Sequence, residues 1–364
     1  MAKILKVSNR NIKKCAALLK SGQLVSFPTE TVYGLGADAS NLFAIEKIFN
    51  AKGRPKTDPL IVHLSHLEKA SLYLSLSDKA KKSLNALGKK FWPGPLTLVL
   101  RSNGMIPKIV TAQGDFIALR VPAHPVALAL LQESDLPIAA PSANTFGHVS
   151  PTTAQHVFSD LGSFSELTIL DDGSHCPIGI ESTVAKIDDF GNVSILRPGA
   201  LSQEDIKNCF LQEKIDVVVS LNLKNTKLSN NQEVQDSPGQ LITHYAPSLD
   251  TYIISPINID ENYYSIKFTI DDLSNSVVID YKKENICLAN SCLYYFDLSK
   301  NGNPEEVAQN LFRLLREAEN LNGAKYILLP YLKKYQTSLL DAVYDRIFRS
   351  ASGKFAELDT VLQS

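Results

Sequence analysis

Pro28-Thr29-Glu30-Thr31-Val32-Tyr33-Gly34-Leu35-Gly36 follows directly on Leu24–Phe27, a mainly apolar run. Hydroxyls, a carboxylate, an aromatic ring and glycines at the end of a strand sit where α/β folds carry ligand-binding loops. A capped turn is the other reading of the same residues, because Thr and Gly punctuate turns. Gly34 to Ala39 also spell GxGxxA. The region about 20 residues on holds Arg54 and Lys56, not the acidic residue that a dinucleotide ribose needs, so this piece reads as a turn.

Outward from this stretch, helical and extended patterns alternate. Ile12, Cys15, Ala16 and Leu19 recur at helical spacing within Asn11–Lys20, and Gly22 stops that helix. A helix is predicted over Asn41–Lys52, then a Gly/Pro loop and a strand over Pro59–Leu64. Ser77-Asp78 can cap a helix to Phe91, which Pro93-Gly94-Pro95 ends before a strand over Leu96–Leu100. Strands are expected at Phe116–Val121, Pro137–Ala140 and Leu167–Leu170, and a hairpin joins Thr183–Ile187 to Val193–Leu196 across Gly191-Asn192. Ser202 and Asp205 form a capping box for one more helix. Residues about 215–248 are polar and rich in Asn, and read as a linker. A second α/β unit follows, with strands near Tyr252–Ser255, Val277–Tyr281, Cys292–Phe296 and Tyr326–Leu329. Its helices start at Pro304 and Leu339. The organisation expected is therefore a first domain over 1–208, a linker over 209–248 and a second domain over 249–364, which suits a length of 364 residues.

Composition narrows the class. Hydrophobic residues make up 44% and charged residues 21%, ordinary values for a globular protein. No apolar run approaches the roughly 20 residues of a membrane helix, and the first residues, MAKILKVSNRNIKK, lack the pattern of a secretory signal. Five scattered cysteines, never spaced CxxC, suit free thiols in the cytoplasm. Residues 1–208 carry 22 Lys and Arg against 18 Asp and Glu, and the remainder 15 against 20. That modest positive bias fits anionic ligands and falls well short of a dedicated nucleic-acid binder.

Familiar catalytic devices are missing: there is no GxxxxGK[ST] phosphate loop, no HExxH and no GxSxG. Lys52, Arg54 and Lys56 instead crowd one Gly/Pro loop, where a lysine supplies a point charge and an arginine a planar fork for phosphate oxygens. A solvated, exposed basic turn is the competing reading. His63 ends the next strand. Ser142 and Asn144, in APSAN, are neutral hydrogen-bonding groups after an apolar run, and Ser182 and Arg197 repeat the theme of polar residues at strand ends. Arg120 lies on a strand, where burial demands a partner: a ligand's carboxylate or phosphate, or an internal salt bridge.

PTETVYGLG, KGRP with PLIVH, WPGPLTLVL, ALRVP, APSAN, SPTTAQHV, GIESTV and ILRPGA occur in the order found in threonylcarbamoyl-AMP synthases, and the chain resembles that family. SPG at 237–239 with HYAP at 244–247 resembles the linker of the family's two-domain form, and LFRLLREAENLNGAKYILLP its second domain. The resemblance implies an α/β fold: a YrdC-like twisted mixed sheet with flanking helices around a positive cavity, plus a smaller Rossmann-like domain. It implies a reaction of L-threonine, bicarbonate or carbon dioxide, and ATP, giving threonylcarbamoyl-AMP and pyrophosphate for a tRNA modification. No protein nucleophile is needed; the protein positions reactants and neutralises developing charge.

Carried over by motif, the resemblance makes Lys52 and Arg54 the catalytic phosphate grips. Thr31, Tyr33, His63, Arg120, Ala140 and Ser182 become contacts for threonine. Asp58, Ser142, Asn144, Ser150, Arg197 and Tyr245 join the two cations as nucleotide contacts, with the linker around Tyr245 acting as a lid. Magnesium would arrive on the ATP phosphates, with Ser142 as its candidate protein ligand. Double-stranded RNA or tRNA and a downstream threonylcarbamoyl-transferase complex are the implied macromolecular partners, and no membrane is involved. Thr57-Asp58-Pro59 departs from the family's usual Asp-Asn-Pro, which requires magnesium or Lys56 to offset the Asp58 charge. Two rivals share the fold: an RNA-binding, ribosome-associated factor, and the carbamoyl-transferring domain of hydrogenase maturation enzymes. The second brings zinc-finger modules that five cysteines cannot supply.

Overall fold

A computed structural model describes residues 1–222, 244–256, 264–335 and 337–358. They divide into two compact units: 1–146 with 151–222, and 147–150 with the described residues from 244 to 358.

Helices and strands alternate in the first unit. They are β1 (Lys3–Lys6), α1 (Asn9–Lys20), β2 (Leu24–Phe27), β3 (Gly34–Asp38), α2 (Leu42–Lys52), β4 (Ile61–His63), α3 (Asp78–Phe91), β5 (Leu96–Arg101) and β6 (Phe116–Arg120). Then come α4 (Pro125–Ser134), β7 (Ile138–Ala139), α5 (Ala154–Leu161), β8 (Leu167–Asp171), β9 (Thr183–Ile187), β10 (Val193–Arg197), α6 (Gln203–Gln212) and β11 (Val219–Leu221). The strands form one mixed sheet in the order β1-β8-β2-β3-β7-β4-β6-β5-β9-β10-β11. β2 shows why the sheet is covered on both faces. Its side chains alternate, so Leu24 enters one core while Val25 and Phe27 enter the other, against Cys15, Ala16 and Leu19 of α1 and Leu130 and Leu131 of α4.

Local chemistry sets the helix ends. Ser8, Asn41, Ser77 and Thr153 accept backbone N–H groups at the starts of α1, α2, α3 and α5. Ser202 and Asp205 form the expected capping box on α6. The hairpin of β9 and β10 is antiparallel, with the Asp188 carboxylate accepting the N–H of Phe190 and Asn192 in the turn.

Two expectations need correcting. Gly34–Asp38, read as a turn, is strand β3, paired antiparallel to β2 and β7. Its glycines serve close approach: a Cβ on Gly36 would lie 2.7 Å from Phe27 Cε1 and 3.0 Å from Ile138 Cγ2. The break expected at 208/209 falls inside α6, whose Ile206, Cys209 and Phe210 are buried, and β11 extends the first sheet. Residues 147–150 group with the second unit, where Gly147 O accepts the Ala246 N–H and His148 Nε2 lies 2.9 Å from Glu319 Oε2.

The second unit contains β12 (Asp250–Ile254), β13 (Ser265–Phe268), α7 (Ile270–Ser274), β14 (Ser276–Asp280), β15 (Tyr294–Asp297), α8 (Pro304–Ala318), β16 (Tyr326–Leu329), α9 (Ser338–Ser350) and β17 (Phe355–Leu358). Every neighbouring pair is parallel, in the order β13-β17-β12-β16-β14-β15, as a Rossmann-like unit requires. Pro304 occupies the first turn of α8 behind the Asn303 cap, and Val307, Leu311, Phe312 and Leu315 form its buried stripe.

Gly36→Ala should lower stability by about 1–3 kcal/mol through overpacking against Phe27. Denaturant unfolding of the variant beside the wild type measures it, and an unchanged midpoint would contradict the close approach.

Candidate functional site

α2 closes on Lys52, and Gly53, with φ 63°, turns the chain out of the helix. Lys52 and Arg54 are 3% and 7% exposed, so the loop is not the solvated, exposed basic turn of the competing reading. The Lys52 ammonium donates to the carbonyl oxygens of Ser142 and Asn144, both at 2.6 Å. Arg54 donates to the carbonyls of Asp58 (3.3 Å) and Pro59 (3.0 Å), and its Nη2 lies 2.9 Å from Asp58 Oδ1. The loop folds back on itself because a buried guanidinium needs a counter-charge within reach.

That pairing explains Asp58. Burial pushes its carboxyl above the usual range, while Arg54, Lys52 and Arg197 oppose the shift by favouring the charged form. Lys56, expected to offset Asp58, is an exposed residue 3.6 Å from Glu46; Arg54 does that work instead.

Arg120 makes an internal salt bridge. Its Nη2 donates to Glu30 Oε1 (2.6 Å), Nη1 to Thr31 Oγ1 (3.0 Å) and Nε to the Gly94 carbonyl (3.3 Å). Thr31 Oγ1 is also 2.8 Å from Thr29 Oγ1. His63, at the end of β4, stands in register with Arg120 on β6. Burial, reinforced by the Arg120 charge, pushes the imidazole down to about 3, which keeps it neutral. Tyr33 is fully buried; burial and the nearby Asp172 raise its hydroxyl's pKa.

Contacts join these residues into a circuit. Ala143 N donates to the Tyr33 carbonyl, which connects the Ser142 and Asn144 loop to the Thr31 loop. Arg120 reaches Gly94, and the next residue, Pro95, accepts the Thr183 N–H. Ser182 Oγ lies 2.8 Å from Thr97 Oγ1, and its carbonyl accepts from Arg197 Nε and Nη2 at 3.3 and 3.0 Å. The Arg197 charge favours the ionised form of Asp58. Ala140 follows β7, its N–H on the Ile61 carbonyl.

Ser150 and Tyr245 are buried in the second unit. The Tyr245 ring packs 5.3 Å from that of Phe312 and 4.1 Å from that of His244, with the Arg346 guanidinium 5.7 Å from its centroid. Residues 223–243, including Ser237-Pro238-Gly239 and most of the proposed lid, lie outside the described residues. Sequence reasoning gave no role to Glu30, Thr97 or Gly94. Glu30 was legible in principle, as the acid beside Thr31 that a buried Arg120 demands.

These features define a polar, cation-rich site built from strand-end loops of a mixed α/β sheet. A family model described as "Telomere recombination", covering the Sua5, YciO and YrdC proteins, matches residues 17–199. A second, described as "Threonylcarbamoyl-AMP synthase, C-terminal domain", matches residues 201–352. The chain is similar to the threonylcarbamoyl-AMP synthase of Pyrococcus abyssi, with 34% identity over 96% of each chain. It is 36% identical to that of Bacillus subtilis, covering 96% of this chain and 95% of the relative. The crystal structure of P. abyssi Sua5 complexed with L-threonine superposes with a TM-score of 0.79 at 30% identity, covering 98% of this chain and 99% of that one. The chain belongs to the threonylcarbamoyl-AMP synthase family in its two-domain form.

Arg54→Ala should cost about 3 kcal/mol, because it strands a buried carboxylate. The folded Asp58 pKa is raised above its unfolded value. The variant's stability should therefore be greatest below the ordinary carboxylate pKa and fall as pH rises through the folded one. Adding Asp58→Asn should abolish that fall; denaturant midpoints from pH 4 to 8 read it. His63 has the opposite sign. Its folded pKa is depressed to about 3, so the wild type loses stability below about 6.5. His63→Gln should reduce the loss between pH 7 and pH 5 by about 2 kcal/mol, and equal losses would refute the neutral buried imidazole.

Proposed function

We propose that the protein is an L-threonylcarbamoyladenylate synthase, joining L-threonine, bicarbonate or carbon dioxide, and ATP into threonylcarbamoyl-AMP with release of pyrophosphate. The observation that carries this reading is the chain of hydrogen bonds from Thr31 through Arg120 to Ser182 and Arg197, beside the Arg54–Asp58 pair and Lys52 on the 142–144 loop. Arg120 suits the carboxylate of threonine, and the three cations suit a triphosphate. Thr31, Tyr33, His63, Ala140 and Ser182 complete the amino-acid end; Ser142, Asn144 and Asp58 accompany the phosphates.

In this reaction the carbamate oxygen of N-carboxylated threonine attacks the α-phosphate, and pyrophosphate leaves. The site's residues act by binding and by charge. Arg54 keeps Nη1 clear of its contacts to Asp58 and Pro59, so one edge of the fork remains for phosphate oxygens. The neutral His63 adds no competing positive charge at the amino-acid end.

Magnesium would enter with ATP. The ion would be held mainly by the phosphates, with the Ser142 hydroxyl as its candidate protein-side ligand. The product suits transfer to tRNA by a threonylcarbamoyl-transferase complex. Among the described residues no helix is long and apolar enough to cross a membrane, and the five free cysteines favour the cytoplasm.

Purified protein should release pyrophosphate from ATP only when both L-threonine and bicarbonate are present. Arg54→Lys keeps the charge beside Asp58 but removes the fork, and should cut that release about 100-fold with less loss of stability than Arg54→Ala. Release that ignores threonine, or none under any condition, would overturn the assignment.

A further inference from the structure

Glu30 Oε1 is bound to Arg120, but Glu30 Oε2 is buried from solvent and has no hydrogen-bond partner. A buried carboxylate oxygen without a donor is unfavourable, and such atoms mark places that a ligand completes. The neighbouring carboxylate, Asp172, has a partner already, with Oδ2 3.2 Å from His124 Nε2. Arg120 is incomplete in a complementary way. Of the five N–H groups that a guanidinium carries, Gly94, Thr31 and Glu30 take one each. One N–H remains on each terminal nitrogen and can donate to a carboxylate oxygen.

We propose that Glu30 and Arg120 together form the receptor for the two charged groups of an α-amino acid, with Glu30 Oε2 receiving the α-ammonium and Arg120 the carboxylate. This rests on the synthase reading and names the residue that selects the amino acid by its amine. Charge supports it. An arginine awaiting a plain carboxylic acid would be better left unpaired, whereas a neutral Glu–Arg pair matches a zwitterion of zero net charge. Glu30 and Arg120 also belong to one hydrogen-bonded group, because Glu30 and the next residue, Thr31, both bind the same guanidinium. An α-amino acid likewise holds its ammonium and carboxylate on one carbon. Glu30 would thus fix the nitrogen that must be carboxylated, close to the carboxylate that anchors the molecule.

Calorimetric titration of the full-length protein tests the idea with L-threonine and with 3-hydroxybutyrate, which keeps the carboxylate and hydroxyl but lacks the amine. The wild type should bind threonine at least tenfold more tightly than 3-hydroxybutyrate. Glu30→Gln should lose most of that preference, weakening threonine tenfold or more while leaving 3-hydroxybutyrate unchanged or tighter. Equal binding of the two ligands by the wild type would overturn the proposal without any variant. Equal weakening of both in Glu30→Gln would overturn it too, because Glu30 would then act only by orienting Arg120. Wild-type protein that turns over threonine and ATP yet shows no amine preference sinks the Glu30 role alone; protein that binds no threonine at all sinks the synthase reading with it.

Discussion

Four cationic side chains of the first unit, Lys52, Arg54, Arg120 and Arg197, lie out of water, and the polar architecture around them follows from that burial. A buried charge without compensation costs several kcal/mol, so each has recruited a partner. Arg54 and Arg120 meet carboxylates, Asp58 and Glu30. Lys52 and Arg197 donate to backbone carbonyls of the 142–144 and 182 loops. The two solutions differ in consequence. A carboxylate cancels charge, whereas a carbonyl dipole holds a cation in place. Loops that would otherwise be free are thereby tied to one another.

Much of this was readable from residue order. Leu24–Phe27, Asp78–Phe91 and the hairpin across Gly191-Asn192 are set by local rules: an apolar run, a Ser cap, a Pro-Gly-Pro stop and an Asn-containing turn. The elements that escaped reading are those whose cause is tertiary. β3 is glycine-rich and weak in strand propensity, and exists because Phe27 and Ile138 need backbone, not side chain, against them. α4 is apolar on nearly every face and so lacks a clear helical period, yet it packs on α1. β13 and β17, short and at one edge of the second sheet, derive their pairing from each other and from β12.

At the site, residue identity was legible and residue environment was not. Chemistry alone suggested that Arg120 needs an anion and that Lys52 and Arg54 form a unit, but burial is a property of the folded chain. Asp58 illustrates the gap. Against an amide-bearing motif it looks like a stray negative charge, and the nearest cation in sequence is Lys56. In space the loop turns inward, Lys56 faces solvent, and the partner is Arg54, four residues before Asp58.

The spacing Lys52-Gly53-Arg54 also has a geometric cause. A cation in the last turn of α2 is favoured by the helix dipole, and Lys52 occupies that place while reaching the 142–144 loop. To send the next cation toward Asp58 the backbone must leave the helix at once, and it does so through Gly53 at φ 63°. Nothing lies within 4 Å of where a Gly53 Cβ would be. Packing therefore does not demand glycine here; the left-handed backbone does. One residue without a side chain thus lets two neighbouring cations diverge, one to backbone carbonyls and one to a carboxylate, while both remain close enough for their charges to act on Asp58.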